Sequence, residues 1–372
     1  MSEQELNKNA AEALVNLAKA LVDQSAAKIL VEPKENADGF WFGSGNLIEP
    51  ESGRFLLCGR YRNHGDSRTG TGAGARGLEF AIFEGSSPTG PFTKVRLFSK
   101  KDLSRPEAPV VSIEGGKLFF SPAGLEMIVS TEKGVDYPDA LASFQKPGTG
   151  VWAIDLVAAA DVGALDASTL AEVQSSREGS TLHIKDPVVF DSPSGGTALM
   201  FCSHPFSWSS SNTGLAVRAA DGEAFELQTH AVLERGASWD VACTRVTDRL
   251  PVPQVGRLAD LPPLSLYFYD GAECLRSLDE NTKAVKRPRG YSCEELGGLA
   301  WGWDAAFPKM QRLSVDFPLF VSPNGTGCSR YVSTLTTEDG IMATWQQSQT
   351  DRSQPLVGHF LKRTDVEALL NG

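Results

Sequence analysis

Between residues 5 and 27 the apolar positions Leu6, Ala10, Leu14, Leu17, Leu21 and Val22 recur close to the helical period, which predicts one amphipathic helix. That helix is expected to pack outside the main body or to seal one end of it. A shorter helix is predicted over residues 364–370, and the Ala-rich stretch 158–172 reads as a short helix or a loop. Nearly everything else follows a different rhythm. GRFLLCGRYR (residues 53–62), LEFAIFEG (78–85), VWAIDLV (151–157), ALMFCSHP (198–205) and LSLYFYDG (264–271) are short apolar or alternating runs. Gly, Asp, Pro and Ser bound them, the pattern of antiparallel strands joined by turns. No helix-forming segment follows each strand, so an α/β barrel is excluded.

The strands recur in groups. Five segments carry an acidic residue just ahead of an apolar run: ADGFWFGSGNLIE at Asp38, RPEAPVVSIEGG at Glu107, IKDPVVFDSPSGG at Asp186, SWDVACTRVTDR at Asp240 and SVDFPLFVSPNGTG at Asp316. Their spacings of 69, 79, 54 and 76 residues leave room for one four-stranded unit each, with insertions. Five units in a ring give an all-β, five-bladed β-propeller whose first strands line the axis, with the N-terminal helix outside it. The expected division is a helical extension over residues 1–30 and the propeller over 31–372; a two-sheet sandwich is the alternative.

Composition narrows the function classes. The 372 residues are 41% hydrophobic and 22% charged, enough to bury a sizeable core. A net charge of −11 argues against a nucleic-acid partner, which would want a basic stripe. No run of about 18 apolar residues predicts a membrane span. The first residues do not combine a basic start with an apolar run, so a cytoplasmic protein is expected, or a secreted one whose leader is not part of this chain. The six cysteines are scattered without a C-x-x-C pair, which predicts reduced thiols rather than disulfides or structural zinc.

The acid-plus-strand starts, above all KDPVVFDSPSGGTALMFCSH (residues 185–204) with its follow-on GLAVRAADGEAFEL (214–227), resemble the blade openings of the five-bladed propeller glycosidases. That superfamily includes the arabinanase and β-xylosidase family, invertases and levansucrases, and the mannoside phosphorylases. The resemblance covers most of the chain after Val31 and implies three carboxylates around the mouth of the axis: a base or nucleophile from the first blade, a second that positions sugar, and a proton donor. Carried over by position, these are Asp38, Glu107 and Asp186. The usual order is Asp in the second blade and Glu in the third; this chain has them reversed.

The residues support that chemistry on their own terms. Cleaving a glycosidic bond takes two carboxyl groups, one protonated and one ionised, on opposite sides of the bond. The Gly-rich stretch 59–77 adds Arg60, Arg62, His64, Arg68 and Arg76, a set suited to an anionic group such as uronate, sulfate or phosphate. Trp208 and Trp239 are candidates to stack on sugar faces, and His204 and Asp240 to bind hydroxyls. Each has a structural counterpart: aromatics fill the space between blades, a lone histidine is more often structural, and an acid before a strand often accepts turn hydrogen bonds. No metal or cofactor is expected. Long insertions over residues 131–150 and 281–306 would wall off one end of a groove and favour attack at an oligosaccharide's end. The expected function is an exo-acting glycosidase, with a phosphorylase on the same fold or a non-catalytic carbohydrate-binding propeller as alternatives.

Overall fold

The computed structural model describes residues 5–63, 76–145, 149–175, 181–204, 210–273 and 294–372. Its strands form five sheets in sequence order. The first blade holds β2 (Trp41–Gly43) and β3 (Leu47–Glu51), which both pair with β4 (Arg54–Arg62), then β5 (Glu79–Gly85) and β6 (Thr93–Ser99). The second runs β7 (Val110–Ser121), β8 (Gly124–Lys133), β9 (Val151–Ala159) and β10 (Ala171–Ser175); the third, β11 (His183–Asp191), β12 (Thr197–His204), β13 (Asn212–Arg218) and β14 (Glu226–Leu233). The fourth contains β15 (Cys243–Pro251), β16 (Leu264–Ala272), β17 (Leu296–Trp303) and the two-residue β18 (Gln311–Arg312). The fifth is β19 (Ser329–Thr336), β20 (Gly340–Gln347) and β21 (Leu356–Lys362), completed on its outer edge by β1 (Lys28–Val31).

This is the five-bladed propeller expected from the repeats. The ring closes because β1, from the start of the chain, pairs antiparallel with β21 near its end, Lys28 opposite Gly358 and Val31 opposite Leu356. Residues 28–31 therefore belong to the last blade. The predicted N-terminal helix is α1 (Lys8–Leu21), capped by the Asn7 side chain; a single turn, α2 (Lys100–Leu103), follows β6, and the predicted C-terminal helix is α3 (Arg363–Asn371). The Ala-rich stretch holds two single 3₁₀ turns, Val162–Ala164 and Ala167–Thr169, each capped by an Asp side chain.

Packing explains why the second strand of each blade is buried along nearly its whole length. Side chains alternate faces along a strand, and here both faces meet another blade. On β4, Leu56 and Cys58 pack toward the second blade while Phe55 and Leu57 pack toward the fifth. On β12, Leu199 and Phe201 face the second blade, and Ala198 and Met200 the fourth. Among the described residues, five of six hydrophobic clusters lie one in each gap between neighbouring blades. The largest, between the fourth and fifth, also takes in Leu14, Leu17 and Leu21 of α1 and Leu370 of α3, so the helices cover the outside of that gap.

At one level the axis is bridged by a single side chain. Lys117 of β7 is buried, and its ammonium donates to the carbonyl oxygens of Gly45 in the first blade (2.7 Å) and Thr247 in the fourth (3.4 Å). Asp248 is its main electrostatic partner and in turn accepts from the backbone N–H and hydroxyl of Thr334 in the fifth blade. Four blades are thus linked through two buried charges of opposite sign. Breaking a buried pair from one side leaves an uncompensated charge, so Lys117→Met is expected to cost about 3–5 kcal/mol in urea unfolding. The double variant Lys117→Met/Asp248→Asn should recover much of that loss.

Candidate functional site

Each innermost strand is interrupted by a register break at a corresponding level: between Gly43 and Leu47, Ile113 and Gly115, Lys185 and Val188, Val246 and Asp248, and Arg330 and Ser333. Bulges turn side chains out of the ladder. Three of them hold a non-glycine residue in the left-handed region: Ser44 (φ 58°), Asp186 (φ 55°) and Tyr331 (φ 57°). Such backbone persists only where its surroundings enforce it, and it is enriched at functional sites. The second blade places Glu114 at its break, next to a glycine that has no alternative. A Cβ on Gly115 would lie 2.1 Å from the Ser44 hydroxyl oxygen.

Charged side chains gather toward the end of the axis where the inner strands begin. Asp186 accepts from Arg245 of the neighbouring inner strand (3.0 Å) and from the Tyr331 hydroxyl (3.5 Å). Arg245 also donates to Asp270 (2.7 Å) and Glu295 (2.6 Å), and its guanidinium lies 4.0 Å from the centre of the Tyr331 ring. Arg330 meets Glu295 from the other side at 2.5 Å and lies over Trp41, as does Arg62, both at 4.5 Å. Burial pushes the Asp270 carboxyl up to about 6, Arg245 opposing it. Glu295 is also raised by burial, but Arg245 and Arg330 outweigh this and hold it well below the usual carboxylate range.

Glu114 lies among cations. Burial raises its carboxyl, but Lys185, then Arg60, Arg62 and Arg76, together hold it below the usual range. The Ser112 hydroxyl donates to it at 2.6 Å. Arg60 donates through Nε to the Glu114 carbonyl oxygen, and Arg76 meets Glu132 at 2.6 Å. Beside them, His183 and His204 face each other across β11 and β12, their ring centres 6.1 Å apart. His183 contacts the Tyr137 hydroxyl, and the edge of Trp152 lies 4.3 Å away.

The sequence-predicted residues fall into four groups. Asp186, Arg60, Arg62 and His204 are buried at this end, together with Arg76. Asp38 and Glu107 do not join this buried charged network. Asp38 is exposed in the loop before β2 and pairs with Arg352 at 3.4 Å; Glu107 is exposed in the turn formed by Arg105 and Ala108 before β7. An acid ahead of a strand marks the chain entering the blade, and the axial positions come later, at Ser44 and Glu114. Trp239 and Asp240 lie in the packing of the fourth blade. The Trp239 indole donates to the Ser314 carbonyl (2.9 Å) and stacks on Tyr269, while Asp240 is fully buried against Arg312 (2.7 Å) and the Tyr269 hydroxyl (3.2 Å). Asp316 is exposed. His64, Arg68 and Trp208 lie outside the described residues.

Sequence reasoning missed Glu114, Lys185, Arg245, Glu295, Arg330 and Tyr331. Their common signal is a charge or tyrosine inside, or at the lip of, an otherwise apolar strand, as in SIEGGKLFF and CTRVTD. Among the described residues, no three His, Cys, Asp or Glu side chains are gathered as a metal site.

No protein-family model matches the chain, and no curated protein matches it. Solved structures do. A BT0996 RGII complex superposes with a TM-score of 0.63 at 10% identity, over 96% of this protein and 96% of that one. The α-L-arabinofuranosidase from Lactobacillus brevis gives 0.57 at 11% over 91% of this protein and 93% of its own length, and the β-1,2-mannobiose phosphorylase from Listeria innocua 0.55 at 13% over 92% and 96%. In three dimensions the protein resembles the five-bladed propeller glycosidases and phosphorylases, as the blade openings implied, and shares their fold.

The two histidines give this end of the molecule a pH signature. Burial, and then Lys185, pushes His183 down to about 3 from 6.5, and the same causes hold His204 well below its ordinary value. Between pH 6.5 and 3 the unfolded chain takes up protons that the fold refuses, so stability falls with pH across that window. Each histidine adds up to about 1.4 kcal/mol per pH unit. Urea midpoints measured from pH 7.5 to 5 should decline, and His183→Gln/His204→Gln should flatten the decline above pH 5.

Proposed function

We propose that this protein cleaves glycosidic bonds at the charged end of its axis, with Glu114 and Asp186 as the reacting carboxyl groups. The observation that carries this reading is their placement at matching bulges of adjacent inner strands. The similarity to an arabinofuranosidase and a mannobiose phosphorylase supports it. Glu114, held ionised by four cations, is the group that stabilises positive charge on the sugar ring or draws a proton from the attacking nucleophile. Asp186, which accepts from Arg245 and from the Tyr331 hydroxyl, is the second carboxyl group that the reaction requires. The substrate is an oligosaccharide attacked from its end.

A second reading, phosphorolysis, is favoured by one feature. The first blade has Ser44, not a carboxylate, at its inner-strand break, and phosphate would bring its own negative oxygen to the reaction. Assays on aryl glycosides and oligosaccharides with and without inorganic phosphate separate the two. In either case Asp186→Asn and Glu114→Gln should each lower kcat by about a hundred- to ten-thousandfold. Asp38→Asn and Glu107→Gln should stay within about twofold of the parent, since both side chains are solvated at the rim. Turnover untouched by the first pair would overturn the assignment, and no turnover on any glycoside would favour a binding role.

A further inference from the structure

Five cations converge beside the first and second blades. Glu114 feels Lys185, Arg60, Arg62 and Arg76 directly, and Lys100 lies close enough to interact with Arg76, Glu132 and Glu114. Among the described residues these five face two carboxylates, Glu114 and Glu132, in a protein whose net charge is −11. The local excess is therefore not a reflection of overall composition. Nor are all the donors used. Arg60 and Arg76 are only 2% and 1% exposed, yet among the described residues Nη1 of Arg60 and both Nε and Nη1 of Arg76 meet no acceptor. A buried guanidinium nitrogen without an acceptor is costly to keep. Mutual repulsion adds to this: burial, and then Arg60, Arg330 and Arg76 against the pull of Glu114, brings Arg62 down to about 10.

We propose that Arg60 and Arg76 form a binding site for an oxyanion between the first and second blades, with Lys185 of the third blade completing it. Both arginines belong to the hairpin of β4 and β5, and Arg76 is held through Nη2 by Glu132, which leaves Nε and Nη1 each with a donor to offer an anion. Lys185 is partly exposed and lies 5.7 Å from the centre of the Trp152 ring, which places a positive charge above an aromatic face. Phosphate, sulfate or the carboxylate of an acidic sugar satisfies these donors equally well. The site deepens the glycosidic reading without depending on turnover.

The test is calorimetric titration of the full chain with inorganic phosphate, sulfate, glucuronate and, as a neutral control, glucose, at constant ionic strength in chloride. Saturable binding of at least one oxyanion, with none of glucose, is expected. Phosphate or sulfate binding without glucuronate identifies a free anion; glucuronate without phosphate identifies one carried on the sugar. Arg60→Met and Arg76→Met should each weaken binding by about ten- to a hundredfold. If either fails to fold, Lys185→Met serves the same purpose at a partly exposed position and should weaken binding by about tenfold. No oxyanion binding, or binding that the folded variants leave unchanged, overturns the site. Anion binding without glycoside turnover would leave it standing and remove only the catalytic reading; turnover without anion binding would do the reverse.

Discussion

The mouth of this propeller is organised by one guanidinium. Arg245 enters from the fourth blade, donates to Asp186 of the third and to Asp270 and Glu295 of its own, and lies over the Tyr331 ring of the fifth. A buried cation is tolerable only when its donors are met, and buried carboxylates only when they are paired. Three carboxylates and one arginine meet that condition together and none would meet it alone. The distances between three blades at this level are thereby fixed by charge rather than by shape. Asp270 also accepts from the backbone N–H of Tyr331, so the left-handed turn there is pinned by the same network that holds Asp186.

The electrostatics are uneven around the ring. Arg245 and Arg330 are matched by acids on the side of the third, fourth and fifth blades. On the side of the first and second, cations outnumber the described acids. Between the two lie His183 and His204, uncharged by burial near Lys185. Two carboxylates on neighbouring strands thus sit in dissimilar settings. Glu114 is embedded among cations, whereas Asp186 shares one arginine with two other acids. Dissimilar settings are what divide labour between otherwise similar groups.

Most of the architecture was legible in the sequence, and the site only in part. Runs such as LSLYFYDG announce a strand buried on both faces, and a dozen such runs separated by turn residues leave few architectures open. The amphipathic α1 is equally readable. The axial positions are not, because a bulge is a tertiary fact: nothing local distinguishes the Asp38 that enters a blade from the Ser44 that faces the axis. Only in the third blade do the two coincide. There Pro187, which lacks an N–H for the ladder, forces the strand to break directly at Asp186. Trp239 and Asp240 misled for a related reason, since an aromatic beside an acid looks the same whether it awaits a sugar or closes a gap between blades.

The closure of the ring by β1 has a consequence for how the molecule comes into being. The strand that completes the fifth blade precedes all the other strands in the chain, and its partner β21 follows them. On the ribosome the early strand must wait, unpaired, while four blades form without it. Contacts of such sequence separation are slow to find because the loop they close is long. Until they do, β21 presents an open edge able to accept any extended segment, its own or another molecule's. The clasp that makes the finished propeller a closed hoop is therefore also its most exposed point during synthesis.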